Sequence, residues 1–260
     1  IGGVAGQYKT PVIASALTFF YTNTMQTSPY RGFGRPEATY IIERLIDKAA
    51  RETGHDALAL RQKNLVTPDQ MPYQTGLKFL YDCGDFPKIV EVAARQADYA
   101  GFQQRRKQSE ANGLLRGIGI ANPIEVAGGP FQQTRPDNAR VTASADGLIT
   151  IAPGLMSVGQ GHETAVVRLT SQMLGVPTHS IVYAQGDTDL LQTGRGNGGS
   201  AATVVGLSAI KIALDELITQ GQRVAAAALG CAATELTYRD GAFATPDGQT
   251  IVWADIARHS

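Results

Sequence analysis

The stretch Val141-Thr142-Ala143-Ser144-Ala145-Asp146-Gly147-Leu148-Ile149-Thr150-Ile151 reads as two short strands joined at Asp146-Gly147, the dipeptide a tight hairpin turn favours. C-terminal to it the pattern changes period. A helix is expected from about His162 to Leu174, stopped by Gly175, and a strand from Ser180 to Ala184 follows. A glycine-rich loop then feeds a long helix, roughly Ala201 to Thr219. The tail returns to hairpins at Asp240-Gly241 and Asp247-Gly248 and ends on a helix start, Trp253 to Ala257. Strands and helices mix without a repeated strand–helix–strand beat, so the expected class is α+β, with mixed sheets and packed helices.

Towards the N-terminus the same reading gives mostly helices. Pro36 and Glu37 suit the first turn of a helix whose Ala38, Ile41, Ile42, Leu45, Ile46 and Ala49 recur at helical spacing until Gly54 stops it. A short helix is expected around Asp56 to Lys63 and a long one over roughly Pro87 to Glu110, ending in the basic run Gln103-Gln104-Arg105-Arg106-Lys107. The alternation and β-branched content of Thr10 to Phe20 suit a strand, and Ile118 and Ile120 also carry strand signals. The change of pattern near residues 110–135 places a boundary between two sub-domains, 1–112 and 113–260.

Composition removes several function classes. Lys+Arg and Asp+Glu balance at 23 each, so no strong field draws nucleic acid or an acidic membrane surface. The two cysteines, Cys83 and Cys231, form no CxxC or Cys/His cluster, which argues against a disulfide framework or structural zinc and for two free, buried thiols in a reducing cytoplasm. No apolar run approaches the ~20 residues of a membrane span, and nothing resembles a signal peptide. A start at Ile1 and an end at Ser260 just after a helix start suggest a piece of something longer.

Three loops carry more chemistry than a connection needs. Tyr30-Arg31-Gly32-Phe33-Gly34-Arg35-Pro36 sets an arginine and an aromatic ring between glycines at the positive end of a helix, which suits an anionic or oxo-bearing group beneath a planar substrate. It is also compatible with a plain glycine-rich turn, Arg31 in solvent and Phe33 in the core. The second loop, Gly154 to Thr164, contains Val158-Gly159-Gln160-Gly161-His162-Glu163-Thr164 and holds Gln160 between two glycines at a helix start, where an amide can donate or accept without adding charge. His162 and Glu163 diverge in direction and no second histidine lies four residues on, so no direct metal ligand is assigned. Thr193-Gly194-Arg195-Gly196-Asn197-Gly198-Gly199-Ser200 feeds Ala201-Ala202-Thr203, a device for holding phosphate on backbone amides, without the lysine-bearing pattern of a nucleotide-triphosphate loop. The bland alternative is a flexible loop; the rival functions are a simple phosphate or nucleotide binder and a non-catalytic assembly or scaffold module.

Taken in this order, the three loops resemble the xanthine dehydrogenase and aldehyde oxidase family of molybdenum hydroxylases. So do Ile42-Glu43-Arg44 and Leu60-Arg61-Gln62-Lys63-Asn64-Leu65, and the similarity runs over nearly the whole chain. The resemblance implies a molybdenum cofactor-binding fold, with 1–112 and 113–260 as two partial molybdopterin-binding sub-domains. It implies that Arg31 and Gly32 abut the molybdenum centre and that Phe33 stacks on the substrate, with Ile120 and Ala121 making the rest of the pocket more aliphatic than in purine oxidisers. Gln160 and Gly161 would lie beside the oxo ligand and the pterin. Gly198, Gly199, Ser200, Ala201, Ala202 and Thr203 would cradle the pterin and its phosphate end.

The same resemblance implies the chemistry: oxidation of an aldehyde or N-heterocycle with water as oxygen source. The cofactor would be molybdopterin, in its cytosine dinucleotide form, with 2Fe-2S and FAD on partner domains or subunits. The family's general-base glutamate falls beyond Ser260, so no catalytic residue is assigned and the piece alone is expected to be inactive. Two departures matter. Ser200 is followed by Ala201 and Ala202 where bacterial relatives often carry Arg-Ser, and the first loop lacks the cysteine-bearing sequence of carbon monoxide dehydrogenases, which argues against that activity.

Overall fold

Gly34, in the left-handed region at φ 83°, turns the chain into helix α1 (Arg35–Thr53), and Gly54 at φ 69° ends it by the same backbone freedom. In the computed structural model, which describes residues 2–28, 30–125, 127–128 and 136–259, the chain divides into two units, Ile1–Glu125 and Val126–Ser260. The α+β class is what the structure holds, with short sheets and seven α-helices among the described residues. No helix among them is long and apolar enough to cross a membrane.

The first unit continues with α2 (Ala57–Asn64), whose Asp56 carboxylate accepts from the Ala59 N–H at 2.8 Å. The pair β1 (Tyr73–Gln74) and β2 (Leu80–Tyr81) follows, then α3 (Phe86–Gln96) and α4 (Phe102–Ala111). Its core gathers Tyr8, Leu65, Val66, Tyr81, Phe86 and Val90, with Ile42 and Ile46 of α1 against it, while Ile41 and Leu45 stay exposed. The Tyr81 ring meets Phe86 edge-on at 5.8 Å, and its hydroxyl donates to the Gly6 carbonyl; burial pushes that phenol up to about 12.

A charged hub lies within this unit. Arg61 is 0% exposed and Glu43 4%. The guanidinium donates to Glu43 Oε2 at 2.8 Å, Asp47 Oδ1 at 2.8 Å, and the carbonyls of Ala57 (3.0 Å), Glu43 (3.2 Å) and Ile120 (3.2 Å). The other Glu43 oxygen accepts from the Tyr8 hydroxyl at 2.7 Å. Five acceptors on two helices and a later segment thus surround the buried guanidinium.

The second unit begins with the hairpin β3 (Ala139–Ala143) and β4 (Ile149–Pro153), with Gly147 at φ 85° in its turn. Helix α5 (His162–Leu174) then carries the chain to β5 (Ile181–Tyr183), which pairs parallel to β4 with Ile149 opposite Ile181. Helix α6 (Leu207–Leu229) packs on β3 and α5, and its Ile210 and Leu214 are fully buried with Ile149, Ile151, Val166 and Leu174. Each such side chain contributes roughly 1.5–3 kcal/mol by leaving water. An antiparallel sheet of β6 (Thr237–Arg239), β7 (Ala242–Ala244) and β8 (Thr250–Val252) leads into α7 (Trp253–His259). Trp253 Nε1 donates to the Tyr238 hydroxyl at 2.9 Å, which donates to the Leu174 carbonyl at 2.6 Å, tying that sheet to the end of α5.

Four sequence expectations change. The single helix expected over Pro87 to Glu110 is two helices, because Asp98 takes φ 46° and its side chain accepts from the Gly101 N–H, closing a turn that Arg105 reinforces by donating to the Ala97 carbonyl. Thr10 to Phe20 is not a strand, since no strand among the described residues pairs with it; Leu17, Phe19 and Phe20 are exposed. Ile118 and Ile120 likewise lie outside any strand. Cys83 is exposed rather than buried, although both thiols are free.

The division between units, between Glu125 and Val126, lies within the expected 110–135 stretch and later than residue 112. Residues 120–125 are fastened to the first unit: Arg61 holds the Ile120 carbonyl, Asn122 Nδ2 donates to the Tyr8 hydroxyl at 3.0 Å, Gln7 Nε2 donates to the Pro123 carbonyl at 2.8 Å, and Arg35 pairs with Glu125 at 2.6 Å.

Candidate functional site

In the first unit, Gly32, Phe33 and Gly34 all have positive φ, at 94°, 41° and 83°. A Cβ on Gly32 would stand 2.6 Å from the Pro36 ring, so glycine is required there. Phe33 has no such excuse. A bulky residue in the left-handed region costs about 1–2 kcal/mol, and such strain concentrates where a side chain must be presented rather than packed. The ring is 69% exposed, which removes the reading of Phe33 as a core residue. Arg31 beside it is exposed, with no hydrogen-bond or ion-pair partner among the described residues.

The structure does not gather Phe33 with Ile120 and Ala121. Segment 120–125 runs back along α1, from Ile120 near Glu43 and Asp47 to Glu125 at Arg35. Phe33 adjoins the Arg35 end, whereas Ile120 lies ~15 Å along the helix, at 1.5 Å rise per residue. There Ile120 lines a cleft of about 220 Å³ with Asp47, Arg51, His55 and Tyr99.

In the second unit, the other two loops meet. Beyond β4 the backbone crosses the third loop so closely that a Cβ on Gly194 would lie 2.6 Å from Gly154 Cα, and the Gly196 N–H donates to the Gly154 carbonyl at 2.8 Å. Both loops then converge on one acceptor. The Met156 carbonyl receives His162 Nδ1–H from the start of α5 at 3.3 Å and Asn197 Nδ2–H from the third loop. Two residues that sequence reasoning did not mark hold this junction. Gln185, just past β5, clamps Ser157 from both sides: its Oε1 accepts the Ser157 N–H at 2.6 Å and its Nε2 donates to the Ser157 carbonyl at 3.0 Å. Asp137 accepts the Arg195 N–H at 2.9 Å. Neither announces itself in a polar stretch, because each acts on a residue far away in sequence.

What the joined loops present is a set of donors. Gln160 Oε1 accepts the Val158 N–H within its own loop, so the amide that remains available is its NH2 group. The N–H groups of Asn197, Gly198, Gly199 and Ser200 bond to no described residue. Gly199 and Ser200 are both left-handed, at φ 60° and 55°, which turns successive amides into a concave nest. A π-helical turn over Ala202–Gly206 follows, a form that often marks functional sites, and leads into α6. Ala201 is 1% exposed, so it can offer a ligand only its backbone, whereas Thr203 is exposed.

Space lies open over Gly159, Gly161, Gly196 and Gly198, where an added Cβ would meet nothing within 4 Å. Such a surface suits an acceptor-rich, anionic or oxo-bearing ligand. Among the described residues no cluster of three His, Cys, Asp or Glu could hold a metal ion.

Comparison with known proteins gives the family. The family described as "Molybdopterin cofactor-binding domain" matches residues 92–260, and a second family of the same description matches residues 1–65. The gamma subunit of the 6-hydroxypseudooxynicotine dehydrogenase complex of Paenarthrobacter nicotinovorans is 29% identical, over 93% of this chain and 31% of its own length. The carbon monoxide dehydrogenase large chain of Afipia carboxidovorans is 32% identical, over 85% of this chain and 29% of its own. Quinoline 2-oxidoreductase from Pseudomonas putida 86 superposes with a TM-score of 0.81 at 27% identity, covering 98% of this chain and 34% of that one. The chain thus spans about a third of the length of these relatives. With a molybdopterin-binding family matched over most of its residues, the chain belongs to the molybdopterin cofactor-binding domain family of the molybdenum hydroxylases.

Proposed function

We propose that this chain forms part of the cofactor-holding portion of a molybdenum hydroxylase large subunit, acting on an aldehyde or an N-heterocycle. The observation that carries the reading is the junction of the second and third loops at the Met156 carbonyl, beside a nest of amides without internal acceptors. The residues fit the group. The Asn197–Ser200 amides, Ala201 and Ala202 through their backbone and Thr203 through its hydroxyl would hold the pterin and phosphate end. The Gln160 NH2 group, with Gly161 leaving room beside it, would donate to an oxo group, and Arg31 and Gly32 would lie against the metal centre.

When bound, the group supplies two-electron oxidation of an electron-poor carbon, with water as the source of oxygen. The chain's own residues orient the group and the substrate. Phe33 offers an exposed ring for a planar substrate to stack on. The N-heterocycle class draws support from the quinoline named for one structural neighbour. Carbon monoxide is not proposed, because Tyr30-Arg31-Gly32-Phe33-Gly34 carries no cysteine.

We further propose the cytosine dinucleotide form of the cofactor, 2Fe-2S and FAD groups on partner domains or subunits, and a cytoplasmic location. A glutamate would serve as the general base, as in the family. Metal and pterin analysis of the full-length large subunit, grown with molybdate, tests the reading. About one molybdenum and one pterin per subunit are expected, and their absence would defeat it.

A further inference from the structure

Asp137 belongs to none of the three loops, yet it holds the start of the third and lies beside Gly206, where the π-turn that follows it ends. We propose that Asp137 is a positioning residue that sets the shape of the cofactor-holding loop 194–206, an inference that rests on the cofactor-binding reading. One carboxylate oxygen, Oδ1, accepts the Arg195 N–H and the Asn138 N–H, each at 2.9 Å. The other, Oδ2, is buried without a hydrogen-bond partner. It lies where the π-turn passes into α6: a Cβ on Gly206 would stand 3.1 Å from it. A Cβ on Gly154 would fall 2.0 Å from Oδ1. One carboxylate is therefore enclosed by the start of the third loop, the end of the π-turn at Gly206, and Gly154 just past β4.

The physical consequence is directional. Holding the Arg195 N–H fixes the plane of the Gly194–Arg195 peptide. The Gly196 N–H is then aimed at the Gly154 carbonyl, 2.8 Å away, and the amides from Asn197 to Ser200 are left without acceptors of their own. A buried carboxylate oxygen without a donor is costly, and a freely chosen loop would turn it to water. Here glycines at 154, 194 and 206 let the backbone close around it. Neighbouring Asn138 reinforces the same end, its Nδ2 donating to Thr193 Oγ1 at 3.1 Å. Asp137 is thus a group that shapes the nest without itself reaching the ligand.

The test uses the full-length large subunit with its natural partners. Hydrogen exchange of the cofactor-free wild-type protein is expected to show the Arg195 and Gly196 amides about tenfold or more slower than those of Gly198 to Ser200. Equal rates overturn the proposal without recourse to any variant. Asp137→Ala is expected to accelerate exchange at 195–196 and to lower molybdenum per folded subunit about tenfold. Asp137→Asn, which keeps an oxygen at Oδ1, is expected to restore both to within about twofold.

Tyr238→Phe, at the far end of α5, serves as the comparison for general loss of stability: it should lower Tm without changing occupancy. Wild-type occupancy in Asp137→Ala, or equal losses in the alanine and asparagine variants with exchange raised throughout the unit, would reduce Asp137 to a structural residue. Absence of molybdenum from the wild-type subunit would defeat the cofactor reading itself, while exchange at 195–196 would still decide whether Asp137 holds the loop.

Discussion

Replacing Arg61 with methionine is expected to lower the unfolding free energy by about 3–5 kcal/mol, read from urea denaturation followed by far-ultraviolet circular dichroism. The size follows from what is left behind. Arg61 is 0% exposed and donates to two carboxylates and three carbonyls; without it Glu43, 4% exposed, is a buried charge whose remaining partner is the Tyr8 hydroxyl. Removing both partners should hurt less than removing one, because an apolar pair of similar volume does not strand a charge. Arg61→Met with Glu43→Leu is therefore expected to recover part of the loss. The substitution also frees the Ile120 carbonyl, one of the four fastenings of residues 120–125 to the first unit. A loss below about 1 kcal/mol, as for a surface ion pair, would contradict the hub.

Gly194→Val is expected to uncouple the second and third loops while sparing the core. Its Cβ would stand 2.6 Å from Gly154 Cα and 2.7 Å from the Gly154 carbonyl oxygen, backbone atoms that cannot rotate away. Relief requires the loops to part, which breaks the Gly196 N–H to Gly154 bond and draws Asn197 off the Met156 carbonyl. Overpacking of this kind costs about 1–3 kcal/mol, and a loss of that size in cofactor binding lowers affinity about tenfold to hundredfold. The measurement is molybdenum per folded full-length subunit, with circular dichroism as the check on folding. The core around Ile149, Ile151, Ile210 and Leu214 meets the junction through Leu155, and its remaining packing should be preserved. Wild-type molybdenum content in this variant would mean that the approach of the two loops is incidental.

Much of the second unit was legible in the sequence because its signals are local. Asp146-Gly147, Asp240-Gly241 and Asp247-Gly248 fix hairpins by turn chemistry alone, and Gly175 ends α5 in the left-handed conformation that its lack of a side chain permits. Where the outcome depends on a distant partner, local reading fails. Thr10 to Phe20 has the alternation of a strand, but a strand needs a ladder, and no described strand supplies one. Helix α6 runs on to Leu229, ten residues past the expected end at Thr219. Gly221 looks like a stop but is there for closeness: a Cβ would meet the Trp253 ring at 2.6 Å.

The candidate site divides the same way. Gln160 and Gly198 to Ser200 stood out because glycines crowd around them before helices, and a surface that must expose its backbone leaves that mark. Gln185 and Asp137 left none, since each is a single polar residue whose importance lies in a bond across the fold. Arg61 was noticed only within a family-like block. A charged residue in a short helix reads as solvated surface until its five acceptors are seen.

The claim on which the rest depends is that the donor-lined junction of the second and third loops seats the molybdenum–pterin group. An experimental structure of the cofactor-loaded, full-length large subunit measures this most directly. Density for the pterin and its phosphate against the amides of Asn197 to Ser200, with the Gln160 NH2 group turned towards the metal's oxo ligand, is the expected result. Cofactor density seated elsewhere, with these amides facing solvent, would contradict it.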